Sequence, residues 1–154
     1  MKFPEPVDFA AEEATIDFHA EDVAIPPELD PDRWQDWIRQ IINENDAQLV
    51  SLTYIFCSDA YLHRINVEYL QHDTYTDIIT FPYQEPPFVE SDIYISVERV
   101  RDNAQSLQEP FVRELARVVI HGVLHLMGQG DKSAEEAQQM RLREDAAITQ
   151  LLGK

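Results

Sequence analysis

The sequence predicts an α+β (mixed α/β) single domain: a small mixed four-stranded sheet packed by helices, with a metal site on one long buried helix. Three observations lead there. Segments with apolar residues at alternate positions interleave with segments of helical periodicity, in the order βαβαββααα. A chain of 154 residues with 44% apolar content is long enough for one domain with its own core. The stretch Val119–Lys132 joins an apolar helix to a histidine pair and a turn bounded by Gly128 and Gly130.

Residues 1–13 are rich in Pro and Glu and predict a loose N-terminal arm. Ala14–His19 alternates apolar and polar residues and reads as a strand, with His19 near its end as a surface residue. Pro26-Pro27 breaks the chain, and Asp30-Pro31 offers an N-cap with Pro at the first helical position. Trp34, Trp37, Ile38, Ile41 and Ile42 then mark an amphipathic helix to about Glu44, its tryptophans facing the core. Gln48–Cys57, β-branched and aromatic, is a strand. Ser58-Asp59 caps a helix over Ala60–Leu70, and the polar loop Gln71–Asp77 runs into the short strand Ile78–Pro82. A dense polar loop in that position is where sites tend to be, although Thr76 and Asp77 can equally cap a turn. An acidic, Pro-rich connector over 83–91 leads to the strand Asp92–Ser96, antiparallel to 78–82. Ser96 caps a helix to about Ser106, and Glu109-Pro110 opens the long helix 110–127. Ser133 to Glu136 is a capping box for a last helix ending near Leu152.

The helix 110–127 carries His121 and His125, one turn apart on one face and close enough to hold one cation. Ile120, Val123, Leu124, Leu126 and Met127 surround them, so the helix is expected to be buried and the imidazoles need partners. Gly128 and Gly130 permit a left-handed reversal that brings Asp131 back over the histidine face. His121, His125 and Asp131 are thereby three ligands with an open fourth position, a catalytic rather than a structural arrangement. Zinc peptidases of the His-Glu-x-x-His-x-x-Gly-x-x-His pattern share this spacing, but their general-base Glu is replaced here by Gly122. Peptide hydrolysis is therefore disfavoured, and the glycine is expected to leave room beside the metal for a bulkier substrate.

The formal net charge is −17, with three lysines against nine arginines. That balance by itself disfavours nucleic-acid binding, and it equally reads as a solubility adaptation to a salty host. Cys57, the lone cysteine, excludes an internal disulfide and suits a reducing cytoplasm as a small core residue. No apolar run of roughly 18 residues suggests a membrane span, and the first residues lack the apolar stretch of a secretory signal.

Three stretches together resemble the YbeY family of bacterial endoribonucleases and rRNA maturation factors, over about residues 48–150. They are Asn66-x-x-Tyr69 followed by Thr76-Asp77-Ile78-Ile79-Thr80-Phe81-Pro82, then Asp92-Ile93-x-Ile95-Ser96, then His121-Gly122-x-Leu124-His125-Leu126-x-Gly128-x-x-Asp131. The resemblance implies a zinc-dependent (one Zn2+ per chain), single-strand-specific endoribonuclease. It implies action on the 3′ end of 16S rRNA and in ribosome quality control, with the small ribosomal subunit or its proteins as partners. Family members usually hold metal with three histidines; here the third place is Asp131, an acceptable zinc ligand that weakens the Lewis acid and favours harder ions. Many members carry an arginine after the tyrosine; here Leu70 stands there, and His72, Arg64 and Arg117 are the candidate substitutes. In the implied mechanism, metal-activated water or the neighbouring 2′-OH attacks the phosphodiester. Asn66 and Thr76 orient the phosphate, and Asp77 or Asp92 holds a histidine N–H. A non-catalytic ribosome-assembly factor with a structural metal, and a peptidase-like hydrolase, are the alternatives.

Overall fold

The computed structural model describes residues 14–153, so the arm expected over 1–13 lies outside the described residues. The elements run β1 (Thr15–Ala20), α1 (Pro31–Glu44), β2 (Gln48–Cys57), α2 (Asp59–Leu70), β3 (Ile78–Pro82), β4 (Phe88–Ser96), α3 (Val97–Leu107), α4 (Phe111–Leu126) and α5 (Ala134–Leu152). The strands form one mixed sheet in the order β1-β2-β4-β3. β1 and β4 flank β2 in parallel, and β3 is the antiparallel edge, Ile78 opposite Ile95. This is the expected fold class. Among the described residues no helix is long and apolar enough to cross a membrane.

The two faces of the sheet are unequal. Alternation turns Val89, Ser91, Ile93 and Ile95 of β4 inward, together with Leu52, Tyr54 and Phe56 of β2, against α1, α4 and α5. Leu49 also points inward, three residues from Leu52, because the pairing with β4 shifts register between Leu49 and Ser51. Among the described residues the opposite face carries α2, over a small cluster of Cys57, Leu62, Ile65 and Ile79. Trp34 and Trp37 are buried, and the Trp37 indole N–H donates to the Ala147 carbonyl at 2.8 Å, tying α1 to α5. The buried Tyr54 hydroxyl donates to the Val119 carbonyl at 3.1 Å, pinning α4 to the sheet.

Two expectations about the packing of the sheet need correction. β4 starts at Phe88 rather than Asp92, because Val89 and Ser91 continue the inward alternation behind the Pro-rich turn. Gly122 does not open room beside the histidines. It is buried against the sheet, and a Cβ there would lie 3.1 Å from Ile78 Cδ1 and 3.3 Å from Thr80 Cγ2. The missing side chain lets α4 approach β3; the position of the peptidase glutamate is occupied by the strand.

Candidate metal centre

The last two turns of α4 present the two imidazoles edge-to-face, ring centroids 4.7 Å apart. Each ring is fixed through its Nδ1. His125 Nδ1 lies 2.8 Å from the Gln129 carbonyl oxygen, and His121 Nδ1 lies 2.7 Å from Glu144 Oε2. A carbonyl oxygen and a carboxylate accept, so each ring donates from Nδ1, and Nε2 is the atom left to meet Asp131 or a metal. Both Nε2 atoms face Asp131: its Oδ2 lies 3.5 Å from His121 Nε2 and 3.2 Å from His125 Nε2.

Local chain geometry produces this convergence. Gly128 takes φ +104°, and its N–H and that of Gln129 return to the carbonyls of His125 and Leu124, closing the helix. Gly130, expected to share that conformation, keeps an ordinary φ among the described backbone angles; its lack of a side chain instead admits the Glu136 carboxylate. Arg143 of α5 donates to Gln129 Oε1 at 2.8 Å and anchors the turn. The capping box of Ser133 and Glu136 is formed, and it starts α5 at the register that brings Glu144 to His121.

The three donor groups fit a small divalent cation. Their ligand atoms lie within 4.8 Å of one another. Tetrahedral zinc with bonds of about 2.0–2.1 Å needs donor atoms about 3.3 Å apart, which is the scale of the Asp131 distances above. All three side chains are partly exposed and open onto a cleft of about 500 Å³.

Behind His121 lies a buried ionic network. Arg117 donates to Glu144 Oε1 at 3.3 Å, to Glu114 Oε1 at 3.2 Å and to Asp145 Oδ1 at 2.9 Å. Arg117 thus compensates the carboxylates that face it, among them the one that orients the histidine. Burial pulls the His121 imidazole down, but the Glu144 hydrogen bond and charge, with Asp131 and Asp77, outweigh it and hold its pKa above the ordinary value. Burial raises the Asp77 carboxyl, with His121 acting against that rise.

Asn66, Thr76 and Asp77 line the same cleft as the histidines. The buried Asn66 donates through Nδ2 to the Thr74 carbonyl at 2.9 Å and to its hydroxyl at 3.2 Å, so that it holds the loop 71–77 in place. The histidine N–H groups go to Glu144 and Gln129, and not to Asp77 or Asp92. Asp92 lies on the opposite face of β4, where it accepts from the Tyr83 hydroxyl at 2.6 Å. Of the substitutes for the cation missing at Leu70, His72 lines the cleft, Arg64 stands over the Tyr61 ring and Arg117 is enclosed by carboxylates. Among the described residues no lysine or arginine lines the cleft.

Comparison with known proteins gives a concordant result. The model of the family described as Endoribonuclease YbeY matches residues 16–152. Endoribonuclease YbeY of Amoebophilus asiaticus is 53% identical over 110 residues, covering 71% of this chain and 75% of the relative. That of Christiangramia forsetii is 44% identical over 138 residues, covering 89% and 94%. A solution structure from Thermotoga maritima is similar with a TM-score of 0.69 at 25% identity, over 90% of this chain and 89% of the other.

Proposed function

The chain belongs to the endoribonuclease YbeY family, and from that premise we propose that it is a zinc-dependent endoribonuclease that cuts single-stranded RNA at the His121–His125–Asp131 cleft. What carries this reading is the convergence of two histidines, each held through Nδ1, and one carboxylate on a single point at the wall of an open cleft. The cellular role we infer is maturation of the 3′ end of 16S rRNA and ribosome quality control in the cytoplasm, in contact with the small subunit or its proteins.

A divalent metal held by His121, His125 and Asp131 would supply Lewis-acid polarisation of a phosphoryl oxygen and a stronger nucleophile. The chain's own residues do the rest. Glu144 and the Gln129 carbonyl keep each Nε2 aimed at the cleft, and Arg117 holds the Glu144 carboxylate in place inside the fold. Asn66 sets the loop that places Thr76 and Asp77 on the cleft wall, where the Thr76 hydroxyl can donate to a phosphate oxygen. The Asp77 carboxylate takes the proton of the attacking oxygen as the bond to phosphorus forms and returns it to the leaving oxygen as that bond breaks. A carboxylate third ligand, being harder than imidazole, makes manganese a competent substitute for zinc.

The test is cleavage of one RNA oligonucleotide, single-stranded and as a duplex, before and after metal removal by a chelator. Cleavage of the single strand alone, lost on chelation and restored by zinc, is expected; chelator-resistant cleavage or equal cutting of the duplex would contradict the reading. A 2′,3′-cyclic phosphate product identifies the 2′-OH as nucleophile, and a 3′-hydroxyl with a 5′-phosphate identifies water.

A further inference from the structure

The face of the sheet away from α4 carries a feature that packing alone does not account for. Tyr61, Ile65 and Tyr69 follow one another at four-residue spacing on α2, facing Phe81 of β3 and Asp92 and Tyr94 of β4. Together with Tyr83 they line a groove of about 270 Å³. The rings form a connected series: Tyr61 stacks on Tyr94 at 6.4 Å, Tyr94 meets Phe81 edge-on at 5.9 Å, and Phe81 meets Tyr69 edge-on at 6.2 Å. The inner rings are half-buried and secure α2 to the sheet. The outer two are different: Tyr69 is 69% and Tyr83 58% exposed, which is no position for a core residue. The Tyr83 hydroxyl donates to Asp92 at 2.6 Å, which fixes its ring at the groove.

The groove adjoins the histidine cleft. Asn66 and Leu70 of α2 line the cleft, while their chain neighbours Ile65 and Tyr69 line the groove. Ile79 lines the cleft and Phe81, two residues further along the same face of β3, lines the groove. The end of α2 is thus the ridge between the two.

We propose that this aromatic groove is a stacking subsite for unpaired bases flanking the scissile phosphate. The proposal rests on the endoribonuclease reading and deepens it. A chain of net charge −17, with no lysine or arginine among the described residues lining cleft or groove, has little cationic surface there for phosphate neutralisation; Arg64 lies 5.4 Å from the Tyr61 ring. Stacking supplies affinity without it, because every base has a π-face, and only an unpaired base exposes that face. Single-strand preference and tolerance of an acidic surface then have one cause.

The experiment measures binding of a fluorescent single-stranded RNA to the full metal-loaded chain, with intact RNA and with single abasic positions scanned along it. Wild type and a Tyr69→Ala/Tyr83→Ala double variant are compared, with metal content and melting temperature as controls. Stacking on alanine-sensitive aromatics predicts that the variant binds intact RNA about tenfold more weakly at unchanged metal content. Removal of one or two bases beside the cut should weaken wild type about as much and leave the variant unaffected. Equal binding by variant and wild type, or losses that simply add, overturns the subsite while leaving the nuclease intact. If the variant binds RNA normally but sediments differently, the groove is a contact between copies of the chain and the proposal is overturned. If wild type neither binds nor cuts RNA, the endoribonuclease reading itself falls.

Discussion

Glu144 is the residue whose replacement most sharply separates orientation of the site from mere folding. Its Oε2 accepts from His121 Nδ1 at 2.7 Å and its Oε1 from Arg117 at 3.3 Å, with the carboxylate buried. Glu144→Gln keeps the shape and one acceptor oxygen but removes the charge that makes His121 a strong donor. Loss of such an outer partner typically lowers metal affinity 10- to 100-fold, about 1.4–2.7 kcal/mol. The glutamine variant belongs near the tenfold end and Glu144→Ala near the hundredfold end, since alanine also frees the ring to turn. Stability falls less than for a severed buried pair, because Arg117 retains Glu114 at 3.2 Å and Asp145 at 2.9 Å. We expect about 2 kcal/mol for Glu144→Ala, against 3–5 kcal/mol when a buried charge loses its partner outright. Competition with a chromophoric chelator reads the affinity, and urea unfolding reads the stability. A Glu144→Gln protein that folds and binds metal as tightly as wild type would refute the argument that this carboxylate sets the histidine.

Arg117→Met removes the cation from among buried carboxylates and should cost about 3–5 kcal/mol in urea unfolding. The sign with pH follows from Glu114, whose carboxyl burial raises while Arg117 lowers it. Glu114 is already held above its ordinary value with Arg117 present, and without it the folded state holds that proton more tightly still, so the variant should lose stability with rising pH more steeply than wild type; a gain with rising pH would be the wrong sign. Gly122→Glu should cost at least about 1–3 kcal/mol in urea unfolding and create no peptidase, because a Cβ there crowds Ile78 at 3.1 Å and the carboxylate would be buried; a variant as stable as wild type with peptidase activity would contradict the packing. Asp77→Asn should keep full metal content and lose about 100-fold in kcat, the low end for a general base. Undiminished turnover would remove Asp77 from the mechanism.

Much of the fold was legible because local chemistry and tertiary placement agree. Pro31, Ser58, Ser96 and Ser133 start helices where the sequence puts them, and the three serines accept the expected capping hydrogen bonds. The histidine helix and its glycine turn were legible for the same reason, since four-residue spacing and a positive φ are local properties. The start of β4 was obscured because Glu90 and Ser91 look like loop residues, although Ser91 is turned inward with its hydroxyl donating to the Phe81 carbonyl at 3.0 Å. Glu144 was missed because only the packing of α5 on α4 brings it to His121. Its signal was present: it lies on the buried stripe of α5 with Met140, Ala147, Ile148 and Leu151, where an ionised group needs a partner. The assignment of Asp92 to a histidine failed on strand parity, which places it with Tyr94 and not with Ile93. Gly122 was misread because its neighbour, the edge strand β3, is distant in sequence.

The most direct measurement is elemental analysis of wild type and Asp131→Ala, paired with cleavage of a single-stranded RNA by the same preparations. The account predicts about one zinc per wild-type chain, as a single three-ligand site would hold, with metal and cleavage lost or weakened together in the variant. An Asp131→Ala protein that keeps full metal and full cleavage would contradict it.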